Sequence, residues 1–322
     1  MIRSYGTAGG RLVAQDASSP AADAVWYDLL GPDEGEERAV GGIVRLDLPT
    51  REDRQEIEVS SRLYTDGGAL VMTATIPAQT DSDRPTMAPV SFILAEGRLV
   101  TIRDHEPRAF DTFARRAQKL QMGCTEGDSV LIELLDEIVD RLADVLERVA
   151  RDVDALSRQI FTDTTEARKT EDGYRALLRE IGRKGDLASN IRESLLTLER
   201  MASFLGSHTR GRPRLEGYRD EIASLGTDVR ALSDHADFIG QKINFLLDAT
   251  LGFINIRQNA IMQLFSVVAV VFLPPTLVAS IYGMNFEWMP ELTWPWGYPM
   301  ALGLMAATAV GPYLWFRRKG WL

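Results

Sequence analysis

Two uncharged apolar stretches close to the C-terminal end constrain this 322-residue chain more than any other feature. No charged side chain lies between Arg257 and Glu287, and the apolar core from Ile261 to Tyr282 would run about 33 Å as a helix at about 1.5 Å per residue. The second stretch, Leu292 to Phe316, contains Pro295, Pro299 and Pro312, yet its centre, Met300 to Val310, holds no breaker stronger than Gly303. Both are expected to span a bilayer, over about 259–282 and 294–316, joined by the short turn Ile281 to Glu291. Arg317, Arg318 and Lys319 follow the second span at once, whereas the turn carries only Glu287 and Glu291. Basic residues stay on the cytoplasmic side, so both termini are expected there, in the inner (plasma) membrane of a cell. Trp288, Trp294, Trp296 and Tyr298 then mark the outer interface, and Tyr313, Trp315 and Trp321 the inner one. Met1 to Ala14 has no continuous apolar run, so no cleavable leader is expected.

Charge is unevenly divided. The chain carries a net −10, and residues 258–322 contribute +1, leaving −11 on the part ahead of the spans. That balance argues against a nucleic-acid partner and suits a compartment that handles cations. The single Cys124 permits neither an internal disulfide nor a thiolate metal site. His105, His208 and His235 are scattered, without the spacing zinc requires. No glycine-rich phosphate loop, nucleophile–base arrangement or Walker lysine is present, so neither an enzyme nor an ATP-driven pump is expected.

Ahead of the spans, residues 1–125 read as an α/β domain. Strands are expected at Ala24 to Leu29, Ile43 to Leu48 and Ala69 to Ile76, with Val90 to Ala95 and Arg98 to Arg103 forming a hairpin about Glu96-Gly97. Arg51 to Ser61, with Ile57 and Val59, fits a small helix, and 31–38 and 79–86 read as surface loops. Residues 126–256 form a long-helix stalk. Leu131, Leu134, Ile138, Leu142, Val145, Val149, Val153, Leu156 and Ile160 recur every three or four positions, giving a long amphipathic helix. A second is expected from about Glu171 to Leu205, and Pro213 is placed to open a third. From Ile222 to Phe253 the third keeps a seven-residue repeat that calls for a helical partner, as in a coiled coil. Nothing stops it before the first span, so it is expected to continue from about Leu215 to Ser280.

At 100° per residue, Asn255, Asn259, Met262, Ser266, Ala269, Leu273, Thr276 and Ser280 share one sector of the first span, while Ile261, Leu264, Val268, Val271, Phe272 and Val278 lie opposite. Close helix packing with interhelical hydrogen bonds would use such a stripe. A pore would use it too, if several copies surround one axis. Such a wall offers carboxamides, hydroxyls and carbonyls but no fixed charge. It suits a cation that keeps its water, as Mg²⁺ does because its octahedral shell is released reluctantly. Glu287 and Glu291 would raise the local cation concentration at the mouth.

Tyr282-Gly283-Met284-Asn285, between two C-terminal spans, resembles the signature of the CorA family of magnesium transporters. Asn259, Pro274-Pro275-Thr276 and the closing Lys319-Gly320-Trp321-Leu322 extend the likeness. The resemblance implies a funnel-shaped homopentamer embedded in lipid, with a cytoplasmic α/β domain, a long-helix stalk and two transmembrane helices, an α+β membrane protein overall. It implies that Gly283, Met284 and Asn285 form the ion entrance, with Gly283 and Asn285 holding the metal through its hydration shell. Asn255, Asn259, Met262, Phe265, Ser266, Leu273 and Thr276 would line the conduit, although Phe265 lies off the stripe. No cofactor is implied, since Mg²⁺ is the cargo and also the ligand that closes the channel from inside; Co²⁺ and Ni²⁺ would pass as hydrated ions of similar size.

Two other readings share some of these features. A ZntB-type zinc transporter has the same architecture and Gly-Met-Asn turn, but its loop usually lacks the two glutamates. A membrane-anchored sensor or coiled-coil scaffold accounts for the heptads, but a sensor needs an extracytoplasmic domain and this turn is about ten residues.

Overall fold

The computed structural model describes residues 1–15, 20–56, 58–82, 84–162, 171–210, 212–285 and 289–321. The N-terminal part forms β1 (Ile2–Ala8), β2 (Arg11–Gln15), β3 (Trp26–Leu30), α1 (Glu34–Val44), α2 (Arg51–Gln55), α3 (Val59–Arg62), β4 (Leu63–Asp66), β5 (Ala69–Ala78), β6 (Thr86–Ala95), β7 (Arg98–Arg103) and α4 (Arg108–Lys119). Then come α5 (Gly127–Thr162), α6 (Glu171–Ser207), the short α7 (Pro213–Glu216), α8 (Arg219–Tyr282) and α9 (Gly297–Arg318), with a 3-10 turn at Pro290–Thr293. The Cα packing divides the chain into two compact units, Met1–Leu247 and Asp248–Leu322.

The seven strands form one sheet in the order β2-β1-β3-β7-β6-β5-β4. Only β3 and β7 run parallel; every other neighbouring pair is antiparallel. Three hairpins use the same device. Gly9-Gly10, Gly67-Gly68 and Glu96-Gly97 each place two consecutive residues at positive φ between paired strands, the type I′ geometry that matches strand twist. All ten positions of β5 are buried because both faces of the sheet are covered. Leu70, Met72, Ala74 and Ile76 join the core under α4, α5 and α6, whereas Val71, with Ile93, Val100 and Ile102, packs with Val40 and Val44 of α1.

Two expectations fail in this unit. Residues 31–38 are not a loop throughout, and Ile43 to Leu48 is not a strand: α1 begins at Glu34 and runs to Val44. Asp33 and Glu36 form a reciprocal capping box, with Glu36 N–H donating to Asp33 Oδ1 at 2.8 Å and Asp33 N–H to Glu36 Oε2 at 3.2 Å. Arg45, at φ 54°, ends the helix in a left-handed turn. The small helix expected over Arg51 to Ser61 is two short ones, and Ile57 lies outside the described residues. Strands β1, β2 and β4 were not anticipated.

The parallel β3–β7 pair carries a buried ion pair. Arg103 donates to both oxygens of Asp28 at 3.0 and 2.8 Å, and each side chain is 2% exposed. Thr101 Oγ1 donates to Asp28 Oδ1 at 2.9 Å, Trp26 Nε1 donates to Thr101 Oγ1 at 3.0 Å, and Arg103 also reaches the His105 carbonyl at 2.8 Å. With its lone pairs so occupied, the Asp28 carboxylate is tolerable in a low-dielectric core.

The long helices continue the same core. Ile222, Leu225, Val229, Ala236, Ile239, Ile243 and Leu246 of the α8 repeat are buried together with Ile191, Leu195, Leu198, Met201 and Leu205 of α6. Gly185 faces Ile243, Gly226 faces Ala202 and Gly206 faces Ile222, so α6 and α8 run in opposite directions in one steady register. The heptad's partner is therefore supplied within the chain. Arg230–Glu199 at 2.9 Å and Arg192–Asp237 flank that seam. The third helix does not begin at Leu215, because α7 closes at Glu216 and α8 restarts at Arg219. From there 64 residues run unbroken to Tyr282, about 96 Å at about 1.5 Å per residue, with Pro274 and Pro275 inside.

Replacing Arg103 by Ala is expected to destabilise the sheet by about 3–5 kcal/mol, because it leaves Asp28 charged and unpaired. The double replacement Asp28→Leu/Arg103→Met should lose much less, which urea unfolding of the detergent-solubilised chain would check. Cys124 is fully buried and its thiol is pushed up to about 11 by burial and the nearby Glu133. It should resist alkylation at pH 8 in the folded chain and react once the chain is denatured, as read by the mass of the adduct.

Candidate ion pathway

The unit Asp248–Leu322 contains the end of α8, the turn and α9, and both helices are long and apolar enough to cross a membrane. On α8 from Ile261 to its end the less exposed positions are Gln263, Val267, Val271, Pro274, Pro275, Val278 and Tyr282; on α9 they are Gly297, Ala301, Met305, Thr308, Ala309, Pro312 and Phe316. Each set falls at helical spacing. Toward the turn the two faces meet around a cavity of about 360 Å³ lined by Ala279, Tyr282, Gly283, Trp294, Gly297, Tyr298, Ala301, Leu302 and Met305.

The stripe of Asn255, Asn259, Met262, Ser266, Leu273 and Thr276 lies on the other side of α8, its centre about 140° from the α9-facing set at 100° per residue. All six are exposed in the single chain, Met262 at 61% and Leu273 at 66%. Phe265 is also exposed, at 70%, but lies about 70° off the centre of the stripe. The stripe therefore lies on the side of α8 turned away from α9.

The hydroxyls along this helix have a fixed polarity. Ser266 Oγ donates to the Met262 carbonyl at 2.9 Å, Thr276 Oγ1 to Phe272 at 2.7 Å and Ser280 Oγ to Thr276 at 2.8 Å. Each proton is spent on the preceding turn, and each oxygen keeps lone pairs facing outward. Pro274 and Pro275 have no N–H, so the carbonyls of Val270 and Val271, four residues earlier, lack their helical donors. The stripe's acceptors are thus the hydroxyl oxygens, whereas the Val271 carbonyl lies on the side turned toward α9. Sequence spacing located the stripe but not this polarity, and the two prolines were the signal for the free carbonyls.

Gly283, Met284 and Asn285 follow α8 directly. Gly283 N–H donates to the Ala279 carbonyl at 2.9 Å and Met284 N–H to Ile281 at 3.3 Å, which continues the last helical turn. A Cβ on Gly283 would stand 3.1 Å from the Ala279 oxygen, tighter than ordinary contact. Asn285 is exposed, and its carboxamide has no hydrogen-bond partner among the described residues. Glu287 lies outside the described residues with Phe286 and Trp288, and of Glu291 only the backbone is described, within the 3-10 turn.

No group of three or more His, Cys, Asp or Glu able to hold a metal occurs among the described residues. The other unit bears an acidic face on α5. Burial first, and then Asp140 and Asp228, push the Asp136 carboxyl above its ordinary value; burial and Asp136 do the same to Glu133.

A two-span membrane protein with an α+β domain ahead of its spans is the class that this fold defines. Over residues 21–318 the sequence matches the family described as CorA-like Mg²⁺ transporter protein. It is 37% identical over 325 residues to the magnesium transport protein CorA of Haemophilus ducreyi, covering 100% of both chains. It is 38% identical over 308 residues to that of Yersinia pseudotuberculosis, covering 95% of both. The fold superposes on the complete CorA magnesium transporter from Methanocaldococcus jannaschii with a TM-score of 0.77 at 18% identity, over 100% of this chain and 99% of that one. The chain belongs to the CorA-like Mg²⁺ transporter family, which is a family of transporters and not of enzymes.

A raised carboxyl pKa makes the folded state most stable below the unfolded value, 3.8 for Asp, and that stability is lost as pH rises through the folded value. Asp136→Asn is therefore expected to melt above the parent at neutral pH in Mg²⁺-free buffer, with the difference vanishing at pH 4. Thermal melts at the two pH values check it. Thr276→Val, which keeps the shape of α8 but removes one acceptor per copy worth about 1 kcal/mol, should slow cation flux severalfold without changing helicity by circular dichroism.

Proposed function

We propose that this chain is the protomer of a homo-oligomeric channel, a pentamer by resemblance, that admits hydrated Mg²⁺ passively down the membrane potential. The observation that carries the reading is the exposed, uncharged, acceptor-rich stripe on the side of α8 turned away from α9. Several copies facing inward would enclose a tunnel of oxygen acceptors. Coordinated water presents its hydrogens outward, so such a wall binds an ion's hydration shell without replacing it. Relatives at 37% and 38% identity named as magnesium transport proteins support Mg²⁺ as the cargo.

In this reading residues 1–125 and the stalk at 126–256 lie in the cytoplasm and residues 257–322 in the inner membrane, both termini inside. Gly283, Met284 and Asn285 form the entrance, where the Asn285 carboxamide and backbone carbonyls accept hydrogen bonds from the ion's water. Glu287 and Glu291 concentrate cations there. Asn255, Asn259, Met262, Ser266, Leu273 and Thr276 line the conduit, with Phe265 beside Met262 at an apolar constriction. Cytoplasmic Mg²⁺ closes the channel by binding carboxylates between subunits, and Co²⁺ and Ni²⁺ permeate by the same route. No cofactor is required.

Reconstituted vesicles with an inside-negative potential should take up Mg²⁺, and Asn285→Ala should lower that uptake by an order of magnitude or more, about 1.4 kcal/mol or beyond. The assembly should stay intact by size-exclusion chromatography. Unchanged uptake would remove Asn285 from the mechanism. Zinc flux coupled to a proton gradient, with no Mg²⁺ flux, would replace this reading by the zinc-transporter one.

A further inference from the structure

Three guanidiniums converge on one carboxylate in the turn between β5 and β6. Arg108 Nη1 donates to Asp81 Oδ2 at 3.2 Å, Arg141 Nη2 reaches both oxygens at 3.2 and 3.1 Å, and Arg148 Nη1 donates to Oδ1. Among the described residues Asp81 is the one carboxylate with which each of them pairs. Arg141 and Arg148 stand seven positions apart on one face of α5, and Arg108 opens α4. Gln79, at φ +54°, accepts from Ser82 N–H at 2.9 Å and so shapes the turn that presents Asp81 to them. A latch holding this turn to α5 needs a single arginine, and further partly exposed pairs to the same carboxylate add little to stability. Asp81 sets one negative charge against three positive ones in an otherwise acidic part of the chain. Its hydrogen bond to Arg148, with the charges of Arg148, Arg141 and Arg108, holds its carboxyl below the ordinary value, so it stays ionised.

This surplus of positive charge lies at the mouth of a cavity. About 210 Å³ opens beside Asp81, Arg108 and Arg141, walled by the buried Ile138, Leu142 and Val145 of α5. Glu106 also borders it but pairs with none of the three arginines among the described residues. On the other side of Asp81, Arg148 borders a second hollow, where Lys184 is already matched by Asp152 at 2.5 Å. The first cavity is the one that joins an apolar wall to guanidiniums short of a counter-charge.

We propose that these arginines bind a phosphate monoester, its dianionic phosphate taking the place of the Asp81 carboxylate and its apolar part entering the cavity. A phosphate monoester brings a charge of about −2 and three acceptor oxygens, so it matches three guanidiniums better than one carboxylate does. Each planar guanidinium can meet two of those oxygens at once. The cavity is smaller than the about 300 Å³ at which sites for drug-sized ligands begin, which limits the apolar part to about one ring. Asp81 then acts as a resident competitor, ordering the arginines while the ligand is away and weakening its apparent affinity. The site lies within the unit Met1–Leu247 and does not rest on the channel reading.

The full chain, purified in detergent and kept free of Mg²⁺ so that the probes stay uncomplexed, would be titrated by calorimetry at about pH 7.5, where the phosphate is dianionic. The probes are phenyl phosphate, inorganic phosphate and phenol. Phenyl phosphate should bind about tenfold more tightly than inorganic phosphate, and phenol should not bind. Asp81→Asn, which removes the competing charge, should tighten phenyl phosphate about tenfold, whereas Arg141→Gln/Arg148→Gln should weaken it at least about tenfold with circular dichroism unchanged. Should the double variant fail to fold, Asp81→Asn alone decides, because a cluster that merely pins the turn gives no gain in affinity there. Unchanged or weaker binding by Asp81→Asn, full affinity in the folded double variant, or inorganic phosphate matching phenyl phosphate would each overturn the site.

Discussion

Everything in the second unit depends on what hydrocarbon does to polar atoms. An amide or hydroxyl moved from water to an apolar medium without a partner costs about 2–7 kcal/mol, so a lipid-facing helix satisfies such groups or does without them. The hydroxyls of Ser266, Thr276 and Ser280 meet that demand within their own helix. Asn259, at the start of the span, does not: its carboxamide is exposed and unpartnered among the described residues. A span with the Asn259 carboxamide on its stripe calls for polar surroundings on that side. Since α9 occupies the other side, the polar surroundings must come from water or from further copies of the chain.

The soluble part of α8 obeys the opposite rule. Its heptad face is sealed within the chain against α6, from Ile222 to Leu246, so the repeat cannot be read as a free seam waiting for a second protomer. What remains unsatisfied there lies on a different face. Phe238 and Phe245 are 60% and 59% exposed on a helix whose inward positions are almost fully buried. One continuous helix therefore carries an apolar face that is buried at home, then an exposed apolar one, and finally a polar stripe within an apolar span. The three faces can share one helix because a 3.6-residue period lets them occupy different sectors.

Much of this was legible because the relevant signals are periodic or long. The α5 pattern, the α8 repeat and both spans each extend over twenty residues or more, enough for burial to dominate local preference. The Glu96-Gly97 hairpin was legible from turn chemistry. The same chemistry stood at Gly9-Gly10 and Gly67-Gly68, where short flanking strands hid it. Ile43 to Leu48 looked like a strand because it is apolar, but Asp33 and Glu36, three apart, form a capping box that commits the preceding residues to a helix. At the candidate site the turn and stripe could be read from spacing. That the stripe faces away from α9 could not, since it depends on how two spans pair, and their pairing is set by small residues such as Gly297 and Ala301 that carry no pattern of their own.

The distribution of charge then limits how selection can work. Net negative charge resides ahead of the spans, none lies on α8 between Arg257 and its end, and the turn contributes Glu287 and Glu291. A conduit with no fixed charge cannot favour cations through Coulomb attraction along its length. It can do so through the direction of its hydrogen bonds. Side-chain hydroxyls whose protons point back along the helix present only oxygen, and oxygen accepts from the outward hydrogens of water bound to a cation. An anion's water presents lone pairs instead and finds no donors except the carboxamide N–H groups of the asparagines. In the proposed channel, orientation of neutral groups would thereby do the work usually assigned to charge, without stripping a shell that Mg²⁺ gives up only reluctantly.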